Sequence, residues 1–423
     1  MNGNEEGLLG GYRLLDLTEG NCMFGGKILA DMGADVVKIE RPGGSPSRNI
    51  APFYKNKPGI DRSLSWFAYN ANKRGITLNL ELAQGRDIFK QLVKSADILM
   101  ESSQSGSEHL ATKGLGYSVL SQVNPRLIVV SITPFGLTGP KAKYHASDLT
   151  TWASSGMLYI CGEADGVPTW VSYPQASLWG GAYAALGTLI ALWHRHLTDA
   201  GQQVDVSIQA SCIKPTAGIS VARDVSGVIL QRQGPRADIQ GRKVHRRVAY
   251  SCKDGSIGAN LYGGSSIGSV NSLRHLVEWM DEEGMAPEWL KEFDWAHDYD
   301  VSNVTQEVLD RVEAQFVNFF KLKTKAELME QAIKRGIFIA PGYNAKEVVE
   351  SEQLEARKFW EKVKHDDLND TVTYCGALAK VSGPTLKIRR RAPAVGEHNE
   401  EIYCGELGLS PEELINLQQA DVL

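Results

Sequence analysis

Ser177 stands immediately ahead of a long run of small and apolar residues, Leu178 to Leu197, that has the composition of a helix. A serine there serves as a helix N-cap, stabilising by about 1 kcal/mol over alanine, or as a nucleophile that needs a base beside it. His194 and His196 lie about five turns farther along the same run, too far to be that base, so capping is the preferred role. The six cysteines, at positions 22, 161, 212, 252, 375 and 404, never approach C-x-x-C spacing and read as reduced thiols. No G-x-G-x-x-G follows the first predicted strand and no G-x-x-x-x-G-K-[ST] occurs, so a nicotinamide, flavin or nucleotide site has no support. Trp279, Trp289 and Trp295 could line a pocket for an aromatic acid, although core packing is the preferred use.

Positioning such residues takes a substantial fold. The chain has 423 residues, 43% apolar and 22% charged, enough for one or two cores without disulfides or metal. Its net charge of -5 is far from the basic balance of a nucleic-acid binder. The acidic first residues hold no apolar run, and the stretch Gly180 to Trp193 is too short to span a bilayer, so neither export nor membrane insertion is expected and the cytoplasm is the expected compartment. Tyr12 to Leu17, Ala34 to Ile39, Asp97 to Met100 and Asn124 to Ile132 alternate with helical stretches. Runs such as Leu127-Ile128-Val129-Val130 lack polar alternation, which predicts a parallel sheet covered on both faces and an α/β class. After the strand Gln203 to Ile208 the pattern changes. A basic, glycine-spaced stretch, Gln231 to Arg247, predicts a linker or surface loop. A strand pair near Val248 to Cys252 and Ser256 to Leu261 then opens a smaller, helix-rich second domain. The tail is expected to contain a helix from Ala345 to Lys364 and a closing helix begun by the capping box Ser410-Pro411-Glu412-Glu413.

Several stretches together resemble the class III CoA-transferase family, which includes formyl-CoA transferase, carnitine CoA-transferase and 2-methylacyl-CoA racemase. They are Leu29-Ala30-Asp31-Met32-Gly33-Ala34-Asp35-Val36-Val37-Lys38-Ile39-Glu40-Arg41-Pro42, Asn72-Lys73-Arg74 with Leu78-Asn79-Leu80, Asn124-Pro125-Arg126 and Gly136-Leu137-Thr138-Gly139-Pro140. Farther on come Arg195 with Gly201 to Ser207, Lys253-Asp254-Gly255, and Pro393-Ala394-Val395-Gly396-Glu397-His398-Asn399. The resemblance implies a Rossmann-like large domain built from both chain ends (1–225 and 341–423), a small α+β domain with its linker (226–340), and an interlocked dimer. It also implies an aspartate that attacks an acyl-CoA thioester, giving a mixed anhydride and then an aspartyl-CoA thioester. CoA is then a substrate, and no separate cofactor is expected.

Counting back from the family's arginine and its Gly-Gln-x-Val-Asp-x-Ser strand, here Arg195 and Gly201 to Ser207, puts the nucleophile position at Ser177. No carboxylate lies between Gly166 and Leu197. A serine would form an ordinary ester, too stable for a thiolate to reopen. Asp148, in Ser147-Asp148-Leu149-Thr150-Thr151-Trp152, matches an earlier family aspartate for which capping or a structural hydrogen bond is the preferred role. The racemase branch's histidine is replaced by Ser147, which argues against α-proton abstraction. Cys22-Met23-Phe24 stands where the family has Ala-Gly-Pro beside CoA, and Glu101 to Gly106 lacks the expected Asn, Arg and Pro. The stretch Gly234 to Gly241 keeps only two glycines of a covering loop. By family correspondence Arg41, Lys73, Arg74 and Lys113 could meet CoA.

The resemblance therefore implies a catalytically silent subunit paired with a paralogous catalytic CoA-transferase subunit, acting on an acyl-CoA and a carboxylic acid, with no nucleic-acid or membrane partner. Among heteromeric members the likeness is to the succinyl-CoA:(R)-benzylsuccinate CoA-transferases of anaerobic toluene degradation, in which one of two related subunits lacks the aspartate. The alternatives are an active homodimer using Asp148 and a non-enzymatic acyl-CoA-binding scaffold.

Overall fold

Continuous apolar runs become the strands of a parallel sheet. In the computed structural model, which describes residues 7–105, 109–238, 244–384 and 386–423, β1 (Arg13–Leu17), β2 (Asp35–Glu40), β3 (Lys73–Thr77), β4 (Ile98–Ser102), β5 (Ile128–Thr133) and β6 (Gln203–Ser207) pair in the order β3-β2-β1-β4-β5-β6. All six residues of β5 are buried, as expected of a strand covered on both faces. The helices of this part are α1 (Met23–Asp31), α2 (Leu64–Asn70), α3 (Ala83–Lys94), α4 (His109–Thr112), α5 (Tyr117–Val123), α6 (Asp148–Ser154), α7 (Ala176–Thr198) and α8 (Ile208–Ile213).

The strand β3 lies outside the sequence pattern because its residues are Lys-Arg-Gly-Ile-Thr, yet all five are buried. It pairs with β2 from Val36 opposite Lys73 to Glu40 opposite Thr77. Its open edge is covered by the tail: the Gly75 N–H donates to His398 Nδ1 (3.1 Å), and the Thr77 N–H to Asn399 Oδ1 (2.9 Å). A Cβ at Gly75 would come within 2.8 Å of Pro393, so the residue must be glycine for the tail to seat.

Small residues set the approach of α7. A Cβ on Gly25 of α1 would meet the Gly181 carbonyl at 2.8 Å, and one on Gly180 would meet Ile208 at 2.9 Å. At 23 residues α7 exceeds the apolar core visible in the sequence and is long and apolar enough to cross a membrane by length and composition, correcting the expectation that it is too short. One of its faces is occupied within the fold, with Gly180, Gly181, Ala184, Ala185, Thr188, Ala191, Leu192 and Arg195 buried.

The chain divides into two compact units. The first comprises Met1–Met157, Val171–Thr216 and Glu355–Leu423, and the second Leu158–Trp170 and Ala217–Leu354. Within the first, Ile402, Tyr403, Leu417, Val422 and Leu423 share a core with Leu15, Val37 and Leu99, so both chain ends build it. Residues Trp360–His365 and Asp370–Cys375 form an antiparallel hairpin. The predicted helix from Ala345 to Lys364 is therefore two short helices followed by a strand, in which exposed Lys362 and Lys364 alternate with inward Val363 and His365. The closing helix Pro411–Gln419 starts with the expected Ser410–Glu413 capping box.

In the second unit, Ala249–Cys252, Gly255–Ala259 and Ile339–Gly342 form an antiparallel sheet beneath the helices Ile267–Glu282, Gln306–Phe320 and Lys325–Arg335. Trp279 and Trp295 are core residues and Trp289 packs against them, so the tryptophans serve packing. The basic stretch expected as a loop contains a strand pair, with Arg236 opposite Arg247 and Asp238 opposite His245. The buried Glu313 explains it: its Oε1 accepts the Arg247 N–H (2.6 Å) and its Oε2 faces Arg236 (3.1 Å). Leu158–Trp170 joins this unit because Arg232 grips the Gly166 carbonyl (2.9 and 2.6 Å) and the Gly234 N–H donates to the Gly162 carbonyl (2.8 Å). Residues Gly106, Arg242 and Lys243, and the end of the glycine-poor loop from Ile239 to Gly241, lie outside the described residues.

Candidate functional site

A cavity of about 1200 Å³ opens at the carboxyl ends of the strands, where β1 and β4 are neighbours although β2 and β3 intervene in sequence. This is the switch point at which open α/β sheets place ligands. Its walls come from the loop after β1 (Glu19, Cys22), from Arg41 after β2, from Ser102 to Ser105 at the end of β4, and from the starts of α6 and α7, which bring in Asp148 and Ser177. The two residues singled out for acyl chemistry therefore meet in one cavity.

The role of Ser177 differs from the sequence expectation. The helix α7 begins at Ala176, its N-cap residue Gln175 makes no side-chain cap, and Ser177 is already inside the first turn. The cap comes from Asp148: Oδ1 accepts the Ser177 N–H (2.8 Å) and Oδ2 the Gln175 N–H (3.2 Å). A negative carboxylate at a helix N-terminus satisfies orphan donors and complements the helix dipole. Ser177 is thus capped, not capping, and Asp148 holds the first amides of α7. Ser147 in turn caps α6 in a reciprocal box with Thr150.

Cys22 lies between these groups. Burial first, and then the Asp148 and Asp16 carboxylates, push its thiol up to about 12, against hydrogen bonds with Ser102 and Ser177 that pull it down. At neutral pH it is a protonated thiol and a poor nucleophile. Of the three larger residues expected to crowd CoA, only Cys22 lines the cavity. Met23 is buried against Asn70, and the Phe24 ring packs edge-on to Tyr69 at 5.9 Å.

The four basic residues separate. Arg41 and Lys113 line the cavity; Arg41 is exposed and Lys113 is paired with Glu81. Lys73 does not reach it. Fully buried, its Nζ donates to Asp16 Oδ2 (2.7 Å), the Met23 carbonyl (3.0 Å) and Asn70 Oδ1 (3.1 Å). Burial lowers its pKa to about 8 despite the Asp16 charge. Arg74 lines a separate polar pocket of about 410 Å³ with Arg13 and Asp35. It is held by Asp35 (2.7 Å), Glu401 (2.7 Å) and Glu406 (2.6 Å). The expectation that Lys73 and Arg74 contact CoA fails because β3 carries them into the sheet, where internal acids take their charges.

Sequence reading missed Glu19. Its carboxylate lines the cavity and accepts hydrogen bonds from the hydroxyls of Ser45 and Ser47, while its N–H donates to Ser102 Oγ (2.9 Å). The acid directly after β1 was visible, but nothing in the spacing tells that two serines from the loop after β2 would hold it. Among the described residues no group of three or more His, Cys, Asp or Glu could hold a metal ion.

A family model, CoA-transferase family III, matches residues 9–399. The subunit BbsE of succinyl-CoA:(R)-benzylsuccinate CoA-transferase from Thauera aromatica is 34% identical, over 96% of this chain and 96% of that protein. The beta subunit of succinyl-CoA–L-malate CoA-transferase from Chloroflexus aurantiacus is 28% identical over 98% of each chain. Among solved structures, a CAIB/BAIF family protein from Brucella suis superposes with a TM-score of 0.77, covering 95% of this chain and 99% of that one at 23% identity, a likeness of fold. With the motifs, the parallel sheet and the cavity at its switch point all agreeing, the chain belongs to the class III CoA-transferase family.

Proposed function

We propose that this chain is the catalytically silent subunit of a heteromeric class III CoA-transferase, interlocked with a paralogous subunit that supplies the nucleophilic aspartate. The complex would move CoA from an acyl-CoA such as succinyl-CoA to a carboxylic acid such as (R)-benzylsuccinate. Two relatives that match over nearly their whole length are named as subunits, one of them of an enzyme with this acid pair. The unpaired cysteines suit a reducing compartment, and we place the complex in the cytoplasm.

The observation that carries this reading is the first turn of α7. A carboxylate can hold an acyl group in activated form, because its attack on the thioester expels the thiolate and leaves a mixed anhydride that the thiolate can reopen, whereas a hydroxyl would form an ordinary ester too stable to reopen. At position 177 the cavity offers a hydroxyl. The nearest acid along this wall, Asp148, has one oxygen on each of two backbone amides at the start of α7, and acylation would remove the negative charge that this helix N-terminus favours. That commitment counts against an active homodimer built on Asp148. Arg41 and Lys113 remain the residues that could meet a CoA phosphate in this chain.

The test is an exchange assay between succinyl-CoA and (R)-benzylsuccinate. The purified chain should be inactive, and co-expression with the related subunit bearing the aspartate should give turnover. Exchange by the chain alone would refute the proposal.

A further inference from the structure

At the amino ends of β1 to β4, the end of the sheet away from the cavity, lies the polar pocket of about 410 Å³ that Arg74 lines. Arg13, Arg74, Arg389 and Arg390 border it, with Asp35 and Asp97 as the acids of its wall. The inner pair of arginines is neutralised. Asp35 takes both Arg13 (2.8 Å) and Arg74 (2.7 Å). The π-helical turn Glu400–Glu406 brings Glu406 to them as well, 2.7 Å from Arg13 and 2.6 Å from Arg74. Asp97 is bonded to the buried Arg195 (2.8 Å). The acids of this end are thus committed to arginines other than Arg389 and Arg390.

The outer pair is fixed by its backbone. The Oδ1 of buried Asn72 accepts the N–H groups of Arg389 (2.6 Å) and Arg390 (3.3 Å), and the Asn72 N–H donates to the Arg390 carbonyl (3.1 Å). Asn72 is left-handed, with φ 69°, a conformation that asparagine adopts more readily than most side chains. It pins two consecutive arginines at the rim of the pocket. Arg389 Nη2 donates to the Ala30 carbonyl (2.8 Å). Arg390 Nη1 faces His398 Nε2 at 3.5 Å.

That last contact sets donor against donor. His398 Nδ1 accepts the Gly75 N–H (3.1 Å), so the proton of its neutral ring sits on Nε2. Burial above all lowers the His398 pKa, against the charges of Glu397 and Glu401, and the ring is neutral at pH 7. A guanidinium has no acceptor atom. The two groups cannot bond to each other, and among the described residues no carboxylate pairs with Arg390. An oxyanion satisfies both. We propose that Arg390 and His398 bind a phosphate group, free or carried on a small molecule, at the mouth of this pocket. The tetrahedral oxygens of a phosphate can accept from a guanidinium and from an imidazole N–H that do not share a plane, where a flat carboxylate is confined to one, and the guanidinium bonds are charge-assisted. The pocket volume is in the range of small-molecule sites. The site lies at the other end of the sheet from Asp148 and Ser177, so the inference stands independently of the proposed silent role.

The test is isothermal titration calorimetry of the purified full chain at low ionic strength, with inorganic phosphate, ribose 5-phosphate and succinate as probes. A phosphate probe should bind saturably with a Kd on the order of 1 mM or tighter. Arg390→Gln, at an exposed side chain and so compatible with folding, should weaken that binding at least about ten-fold, and Arg390→Lys should weaken it less. Arg41→Gln, in the other cavity, should leave it unchanged. Tighter binding of ribose 5-phosphate than of inorganic phosphate identifies a carried phosphate with the rest of its molecule in the pocket, and equal binding identifies the free ion. The inference is overturned if neither phosphate probe binds up to about 10 mM, if Arg390→Gln binds as well as the wild type, or if Arg41→Gln abolishes binding, which would move the phosphate to the cavity. Succinate bound more tightly than either phosphate probe overturns it too.

Discussion

Asp16 and Asp148 are acids of the same unit that both act on the Cys22 thiol, yet they are stabilised by different means. Asp16 is fully buried, with the Lys73 ammonium at 2.7 Å, Lys38 at 4.0 Å and the Thr18 hydroxyl at 2.6 Å. Burial raises its pKa, but the two lysine charges together with the hydrogen bonds from Lys73 and Thr18 hold the group below the usual carboxylate range. Asp148 faces the cavity and accepts hydrogen bonds from the backbone amides at the start of α7. The first acid is offset by full charges and belongs to the architecture. The second is held by a helix terminus at the wall of the cavity.

Breaking the Asp16 network should have the largest effect. Lys73→Met strands a buried carboxylate and should cost about 3–5 kcal/mol in urea unfolding. Asp148→Ala removes the α7 cap and should cost about 1–2 kcal/mol, with Asp148→Asn recovering part of it. The Cys22 thiol sharpens the contrast through pH. Because its folded pKa, about 12, lies above the ordinary thiol value of 9.0, the unfolded chain releases the proton first. Its contribution to stability is therefore intact below about pH 9 and is lost as the pH rises toward 12; Cys22→Ser should flatten that alkaline limb of a stability–pH curve. Ser177→Ala should be the smallest change, within about 0.5 kcal/mol, because the serine's backbone, not its hydroxyl, is what Asp148 holds. A larger loss on thermal unfolding would restore the hydroxyl to a structural role.

The sequence made most of the sheet legible because β1, β2, β4 and β5 are apolar runs, and a parallel sheet is the arrangement that buries them on both faces. It hid β3, since Lys73 and Arg74 look like surface cations until their acids are found, Asp16 being 57 positions away and Glu401 327. Position 177 was legible from its place at the start of the small-residue run that forms α7. The carboxylate that holds it was not, because a bond from a side chain to a backbone amide 29 residues on leaves no pattern in residue types. The basic stretch around Arg236 and Arg247 failed for the same reason: Glu313, the acid that organises it, lies on a distant helix.

The central claim, that this chain holds no acyl group in activated form, is tested most directly by incubating the purified chain alone with succinyl-CoA, quenching with hydroxylamine and mapping the peptides by mass spectrometry. No hydroxamate is expected on any Asp or Glu, including the peptide that contains Asp148. A hydroxamate or a CoA thioester on Asp148 would contradict the claim.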